Sequence, residues 1–420
     1  VLLLYNLIIW VYFSAIRLAS FFNPKAKLWV EGRKNLLVKI GADFSNSRKS
    51  GDSIVWMHCA SLGEFEQGRP ILEGLKKTRP GLKLLVTFFS PSGYEIRKNF
   101  PLADWVHYLP SDTKANVSRF LDAVNPCLAL FVKYEYWYHY LTCLKNRNVP
   151  TLLVAGVFRP SQPFFQWYGK LHRQMLRCFT KLLVQDQNTA EALRSIHTPP
   201  VMVTGDTRVD RVKAIVDENK RIGPVEAFCQ KAPVVVCGST WEADEELLVK
   251  IIQNESFENW KFIFAPHDVS TKHISQLKDK LPVPYVIFTE SESPGWLSNE
   301  PKVLLVNSIG ILAYLYRYAS IAYVGGAFGK GLHSILEPAA FGLPIVFGEN
   351  FKKFAEAKHL VTQGGAFSVR NEKELASVML DLQKEDFNKT ASARTLSYIT
   401  ENRGASEKVL DVIHAIIDKE

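Results

Sequence analysis

At 420 residues, 47% apolar and 22% charged, the chain has room for two or three globular domains, and its composition excludes a disordered tail, a collagen-like rod or a long coiled coil. The net charge of +9 is uneven: residues 1–50 hold eight basic and two acidic residues, and the rest is close to neutral, which excludes a surface tuned throughout for nucleic-acid phosphates. The six cysteines (Cys59, Cys127, Cys143, Cys178, Cys229, Cys237) include no Cys-x-x-Cys pair and read as free, buried thiols of a reducing compartment.

In chain order, the first feature is an apolar segment. Val1 to Ile16 carries no charge, Arg17 interrupts, and the apolar run resumes to Phe22. About 20 apolar residues span a bilayer, so the segment is marginal in length. The basic residues that follow (Lys25, Lys27, Arg33, Lys34, Lys39, Arg48 and Lys49) place the body of the protein on the cytoplasmic side of a membrane by the positive-inside rule. Trp10, Tyr12 and Trp29 suit the headgroup region. Residues 1–22 read as an anchor that spans the membrane or lies in its interface, with basic residues 17–49 facing anionic lipid. A buried N-terminal helix is the alternative.

From residue 51 short apolar runs alternate with amphipathic stretches. Strands are predicted at 53–58, 83–89, 105–109, 127–132, 151–156, 181–185 and 201–205. Helices are predicted at 64–78, 113–124, 136–147 and 165–177. Residues 206–231 are polar, with a Gly223–Pro224 turn signal. A second series follows, with strands at 232–238, 261–266, 284–288, 302–307, 320–326 and 344–348. Such alternation builds βαβ units on a parallel sheet. The reading is α/β, with two Rossmann-like doubly wound domains facing a cleft. The boundaries are 1–30 for the anchor segment, 31–206 for the first domain, 207–231 for a linker and 232–420 for the second domain. The last helix is a candidate to return to the first domain. Ligands of such sheets bind beyond the carboxyl ends of the strands, so the cleft is the expected site.

Four motifs sit at those ends. In HCASLGEFEQGRP (58–70), Ser61-x-x-Glu64 is a capping box. Glu64 is equally placed to act as a general base toward a hydroxyl. In FVKYEYWYHY (131–140), Glu135 is either a first-turn acid favoured by a helix dipole or a second carboxylate beside Glu64. In CGSTWEADEE (237–246), Ser239 and Thr240 are either plain N-caps or contacts to an anion at a helix N-terminus. In YVGGAFGKGLHSILEPAAFGLPIVFG (323–348), Gly325, Gly326, Gly329 and Gly331 lead into a helix with Glu337 and Pro338. This pattern is neither a dinucleotide fingerprint nor a P-loop. Its glycines allow close approach to a phosphate, Glu337 can accept from two ribose hydroxyls, and His333 can donate to a phosphate. His267 in APHD (265–268) is either an anion contact or a solvated loop histidine. No Asp-x-Asp or His/Cys ligand set stands out, so no metal and no cofactor are expected.

Together these motifs resemble the 3-deoxy-D-manno-octulosonic acid (Kdo) transferases of lipid A assembly, a branch of the GT-B glycosyltransferases. The similar blocks are HCASLGE (58–64), TFFSPSGYE (87–95), HYLPSD (107–112), EYW (135–137), VQDQNTAEAL (184–193), VTGDTRVD (203–210), GSTWEADEE (238–246) and GGAFGKGLHSILEPAAFGLPIVFG (325–348). They run in family order over roughly residues 30–385. The resemblance implies a GT-B architecture with an N-terminal acceptor domain and a C-terminal nucleotide-sugar domain. It implies inverting, metal-independent transfer of Kdo from CMP-Kdo to a lipid A precursor at an anionic membrane surface. Glu64 is then the base and Glu135 positions Kdo or acceptor. Ser239 and Thr240 hold the CMP phosphate, Glu337 binds the ribose, and Gly325, Gly326 and loop 329–334, with His333 and Ser334, surround the nucleotide. Three positions depart from the family. Pro-Arg-His is Pro266-His267, Gly-His-Asn is Leu332-His333-Ser334, and the first acid of Glu-x-Glu-x-Trp is Lys133. His267 or Lys330 is the candidate to replace the Arg. A nucleotide-sugar epimerase and a non-catalytic, membrane-tethered nucleotide-sugar binder are the competing readings.

Overall fold

Short apolar runs bounded by Gly, Pro and polar residues become strands buried on both faces, as parallel strands covered by helices must be. The computed structural model describes residues 2–290, 296–329 and 331–419, so Lys330 lies outside the described residues. The first series forms β1 (Ile54–Cys59), β2 (Lys83–Phe88), β3 (Trp105–Tyr108), β4 (Leu128–Val132), β5 (Thr151–Gly156), β6 (Lys181–Val184) and β7 (Val201–Val203). These make one seven-stranded sheet in the order β3-β2-β1-β4-β5-β6-β7. The second series forms β8 (Val234–Thr240), β9 (Lys261–Pro266), β10 (Tyr285–Ile287), β11 (Val303–Leu305), β12 (Ile321–Val324), β13 (Ile345–Phe347) and β14 (Ala366–Ser368), ordered β10-β11-β9-β8-β12-β13-β14. Every pairing is parallel. The α/β reading with two Rossmann-like sheets holds. The sequence reading missed β14, whose three residues are too short for a pattern.

The period of two splits each strand between two cores. On β1, Ile54 and Trp56 pack with Phe120, Phe131 and Tyr140 on one face. Val55, Met57 and Cys59 pack with Phe65, Ile71 and Leu130 on the other. The chain divides into two compact units, Val1–Arg211 with Arg403–Glu420, and Val212–Asn402. The polar stretch 207–231 carries two helices, Thr207–Asp217 and Gly223–Cys229, with Val209 and Val225 fully buried. The last helix, Ala405–Ile417, packs on helix Leu62–Thr78 of the first unit. Its Val409 and Ile413 enter the core of Val55 and Met57. The N–H groups of Gly404 and Ser406 both donate to Asp210, at 2.6 Å.

The apolar N-terminal segment forms helix Leu2–Ala19, followed by Pro24–Glu31, capped by the Asn23 side chain, and Leu36–Ser47. Helix Leu2–Ala19 is long and apolar enough to cross a membrane by length and composition. It is not a buried core helix, because only Ile9 and Phe13 are buried. Phe13 stacks on Trp29 at 5.3 Å, and the Tyr5 hydroxyl donates to Asp112. Leu3, Leu4, Leu7, Ile8, Trp10 and Val11 are exposed.

Candidate active site

In a doubly wound sheet a crevice opens at the carboxyl ends where the strand order reverses. In the first unit that point lies between β1 and β4, which pair with His58 opposite Phe131. Glu64 and Glu135 follow these two strands. Glu64 lies in the first turn of helix Leu62–Thr78. Ser61 stands at the N-cap but makes no side-chain bond to the helix backbone; its hydroxyl donates to the Glu64 carboxylate instead. The capping box is therefore not formed, and Ser61 fixes the Glu64 carboxylate. A side chain at Gly63 would meet nothing closer than the Ser61 hydroxyl, at 3.8 Å, so Gly63 leaves this approach open.

Glu135 is not a first-turn acid. It lies ahead of helix Tyr138–Asn146, in a turn where Lys133 takes a left-handed φ of 63°. Trp137 Nε1–H donates to Glu135 Oε2 at 2.7 Å, and His58 Nε2 lies 2.9 Å from the same oxygen. The other His58 nitrogen, Nδ1, lies 2.9 Å from Thr87 Oγ1, which accepts from Trp56 Nε1–H at 2.8 Å. His58, Thr87 and Trp56 are wholly buried. Every polar atom is satisfied if the Thr87 hydroxyl donates to Nδ1 and Nε2–H donates to Glu135. The core of the sheet thus holds one carboxylate by a chain of three side chains. Burial pushes the Cys59 thiol well above its usual range, and Glu64 and then Glu135 push it further. Both carboxylates therefore stand close to the end of β1.

In the second unit the order reverses between β8 and β12. β8 runs on through Gly238, Ser239 and Thr240, with an irregularity between Gly238 and Thr240 where Ser239 takes a φ of 54°. The N-cap of helix Glu242–Gln253 is Trp241, so neither Ser239 nor Thr240 is a plain N-cap. Thr240 is buried and its hydroxyl donates to Glu245 at 3.0 Å, so that hydroxyl faces the interior. Buried Asp244 ties the ends of the two strands together. Its carboxylate accepts from Trp241 N–H (2.9 Å), the Tyr323 hydroxyl (2.8 Å) and Gly326 N–H (2.9 Å). Gly325 must be glycine for this closure, since a Cβ would sit 2.5 Å from the Ser239 carbonyl oxygen. Gly326 has a φ of 95°, and its carbonyl accepts from Gly329 and Gly331 N–H, which folds the loop back on itself.

His267 follows β9 and is stacked between Trp241 (4.6 Å) and His333 (4.5 Å). His333 Nε2 accepts from Trp241 Nε1–H at 3.1 Å. Burial, and then His267, push the His333 imidazole down to about 4, so it is neutral at pH 7. Glu337 lies in the short helix Leu336–Ala340, and after burial it is what raises the Tyr316 hydroxyl beneath Gly238. Ser334 is exposed. A groove of about 840 Å³ is lined by Gly329, Gly331, Lys352, Lys353, Phe354 and Arg370.

The structure thus gathers Glu64 and Glu135 at one switch point. At the other it gathers Ser239, Thr240, His267, Gly325, Gly326 and His333. Gly329 and Gly331 line the groove beside it. Sequence reasoning saw Ser61 only as a helix cap and gave no role to His58, Trp137, Trp241, Asp244, Lys352 or Lys353. Apart from the two lysines, these stand within the quoted motifs, so proximity to a candidate acid or glycine was the available signal. Among the described residues no group of three His, Cys, Asp or Glu is arranged to hold a metal ion.

Residues 35–211 match the family model for 3-deoxy-D-manno-octulosonic-acid transferase (kdotransferase). The 3-deoxy-D-manno-octulosonic acid transferase of Aquifex aeolicus is 28% identical over 343 residues, which are 80% of this chain and 88% of that protein. That of Rickettsia prowazekii is 23% identical over 411 residues, 95% of this chain and 86% of its own. The solved UDP-GlcNAc 2-epimerase of Neisseria meningitidis, bound to UDP-GlcNAc, superposes with a TM-score of 0.61 at 13% identity, covering 88% of this chain and 100% of that one. The epimerase shares the fold alone. The ordered motifs, the match across the first unit and relatives aligned along most of both units agree: this chain is similar to the 3-deoxy-D-manno-octulosonic acid transferases over most of its length.

Proposed function

We propose that the protein transfers Kdo from CMP-Kdo to a lipid A precursor, with inversion and without a metal, at the cytoplasmic face of the inner membrane. The observation that carries this reading is the pair of carboxylates at the β1–β4 switch point of the family-matched unit. Glu64, oriented by Ser61, accepts the proton of an acceptor hydroxyl as its oxygen bonds to the anomeric carbon of Kdo. The bond from that carbon to the CMP phosphate breaks, and CMP leaves with the electron pair. Glu135, held by His58 and Trp137, positions the sugar. In the second unit Glu337 binds the ribose. Ser239, His267, His333, Ser334 and the glycines Gly325, Gly326, Gly329 and Gly331, whose lack of side chains lets a ligand approach the main chain, surround the CMP phosphate, with Lys352 and Lys353 supplying positive charge along the groove. Thr240 lines this site with its hydroxyl turned inward onto Glu245. Helix Leu2–Ala19 seats the first unit on an anionic membrane.

Glu64→Gln is the direct test. The variant is expected to fold as the wild type by circular dichroism and to lose transfer by about 10²-fold or more, the usual scale for a general base. Undiminished transfer by Glu64→Gln would return Glu64 to a structural role.

A further inference from the structure

A groove of about 460 Å³ opens on the first unit, lined by helix Leu2–Ala19, the 29–38 segment and helix Lys114–Val124. Arg17, Arg33, Lys34 and Arg119 line it with Ser111 and Asn116. Among the described residues no carboxylate pairs with any of the four cations. Arg33 donates only to main-chain carbonyls, those of Phe89 (2.8 Å), Leu109 (3.1 Å) and Trp29 (3.3 Å), and its guanidinium lies 3.8 Å above the Trp29 ring. Burial pushes Arg33 down to about 9, which reflects a cation held without a counter-ion. Asp112, next to Ser111, is occupied by the Tyr5 hydroxyl and by the N–H groups of His139 and Tyr140.

Four like charges around one groove repel one another, and an anion seated there relieves the repulsion. Guanidinium forks suit the oxygens of a phosphate. The surroundings are apolar. Trp10, Leu18, Phe21 and Phe22 of the N-terminal segment, and Val38 at the groove itself, are exposed, Phe22 by 92%. Large side chains in such a contiguous run call for an apolar phase over them. An anionic headgroup beside an acyl region is the chemistry that meets both demands.

We propose that this groove is a headgroup site for an anionic phospholipid, with Arg17, Lys34, Asn116 and Arg119 holding its phosphate and the exposed face of helix Leu2–Ala19 lying among the acyl chains. The inference rests on the reading of that helix as a membrane segment and deepens it. Diffuse attraction becomes one stoichiometric site, and Asn116 and Arg119 come from the body of the domain.

The full chain is titrated with dihexanoyl-phosphatidylglycerol below its micelle-forming concentration, with dihexanoyl-phosphatidylcholine and inorganic phosphate in parallel. It is also sedimented with phosphatidylcholine vesicles, with and without phosphatidylglycerol. Short-chain phosphatidylglycerol is expected to bind saturably at one site. Lys34→Ala/Arg119→Ala, both exposed positions, is expected to weaken it about tenfold or more and to lose the extra vesicle affinity that phosphatidylglycerol confers. Lys25→Ala/Lys27→Ala removes the same charge outside the groove and is expected to leave short-chain binding unchanged. Equal losses in the two double variants, equal binding of inorganic phosphate, or no binding of the short-chain lipid would each overturn the proposal. Binding of the short-chain lipid without binding to either vesicle supports the groove and contradicts the membrane reading.

Discussion

His333 shows how the fold sets the chemistry of a single side chain. Its imidazole is held near 4 by burial and by the stacked His267, and its bare Nε2 accepts from Trp241. An unfolded imidazole titrates near ~6.5, so the folded chain binds fewer protons between these values. The neutral His333 therefore contributes stability that is complete above about pH 6.5 and is lost as pH falls toward 4. The imidazole C–H resonance of His333 is expected to titrate with a midpoint near 4. A midpoint in the ordinary range would contradict the stacked, buried arrangement. At this scale the sequence revealed which residue types stand at the strand ends, but not their partners. Glu135 was visible as an acid among aromatics. That it is gripped by His58, 77 positions earlier, is a consequence of β1 lying beside β4, which no local pattern encodes.

Among elements, the meeting of β8 and β12 depends on a shape that few residues permit. Gly325 lies against the Ser239 carbonyl, and Asp244 bonds three donors drawn from Trp241, Tyr323 and Gly326. Gly325→Ala forces a Cβ into main chain that cannot retreat, and is expected to cost about 1–3 kcal/mol in denaturant unfolding. An unchanged midpoint would show that the strand ends are looser than described. Most elements were legible before the structure because parallel strands are continuous apolar runs with turn residues on both sides. The exceptions have physical causes. Ala366–Ser368 is too short to show a period. Ser239 and Thr240 read as a helix start because small hydroxyl residues before an acidic stretch are good caps, yet Trp241 takes that place and β8 runs on through an irregular register. The polar stretch 207–231 hid two helices because charged and polar residues outnumber the apolar ones there, although Val209, Val225 and Phe228 are fully buried.

Across the whole molecule, the chain changes unit twice, after Arg211 and after Asn402. The final helix is structurally part of the unit that begins the chain. Val409 and Ile413 are fully buried there, and each is worth roughly 1.5–3 kcal/mol of burial. A chain truncated after Asn402 is therefore expected to lose at least about 3 kcal/mol of stability and to expose the core around Val55 and Met57. Thermal unfolding that matches the full chain would contradict that placement. The charge asymmetry also has a place at this scale. All of the basic residues of 1–50 except Arg17 follow a helix whose outward face is apolar, and the acids that define the candidate site follow in the same unit.

The central claim is tested most directly by product mass. The 420-residue protein is incubated with CMP-Kdo and one defined lipid A precursor, with and without chelator. The account predicts an acceptor heavier by whole Kdo residues, CMP released in equal number, and the same yield with chelator present. An acceptor of unchanged mass from folded protein, or release of a free altered sugar without acceptor, would contradict it.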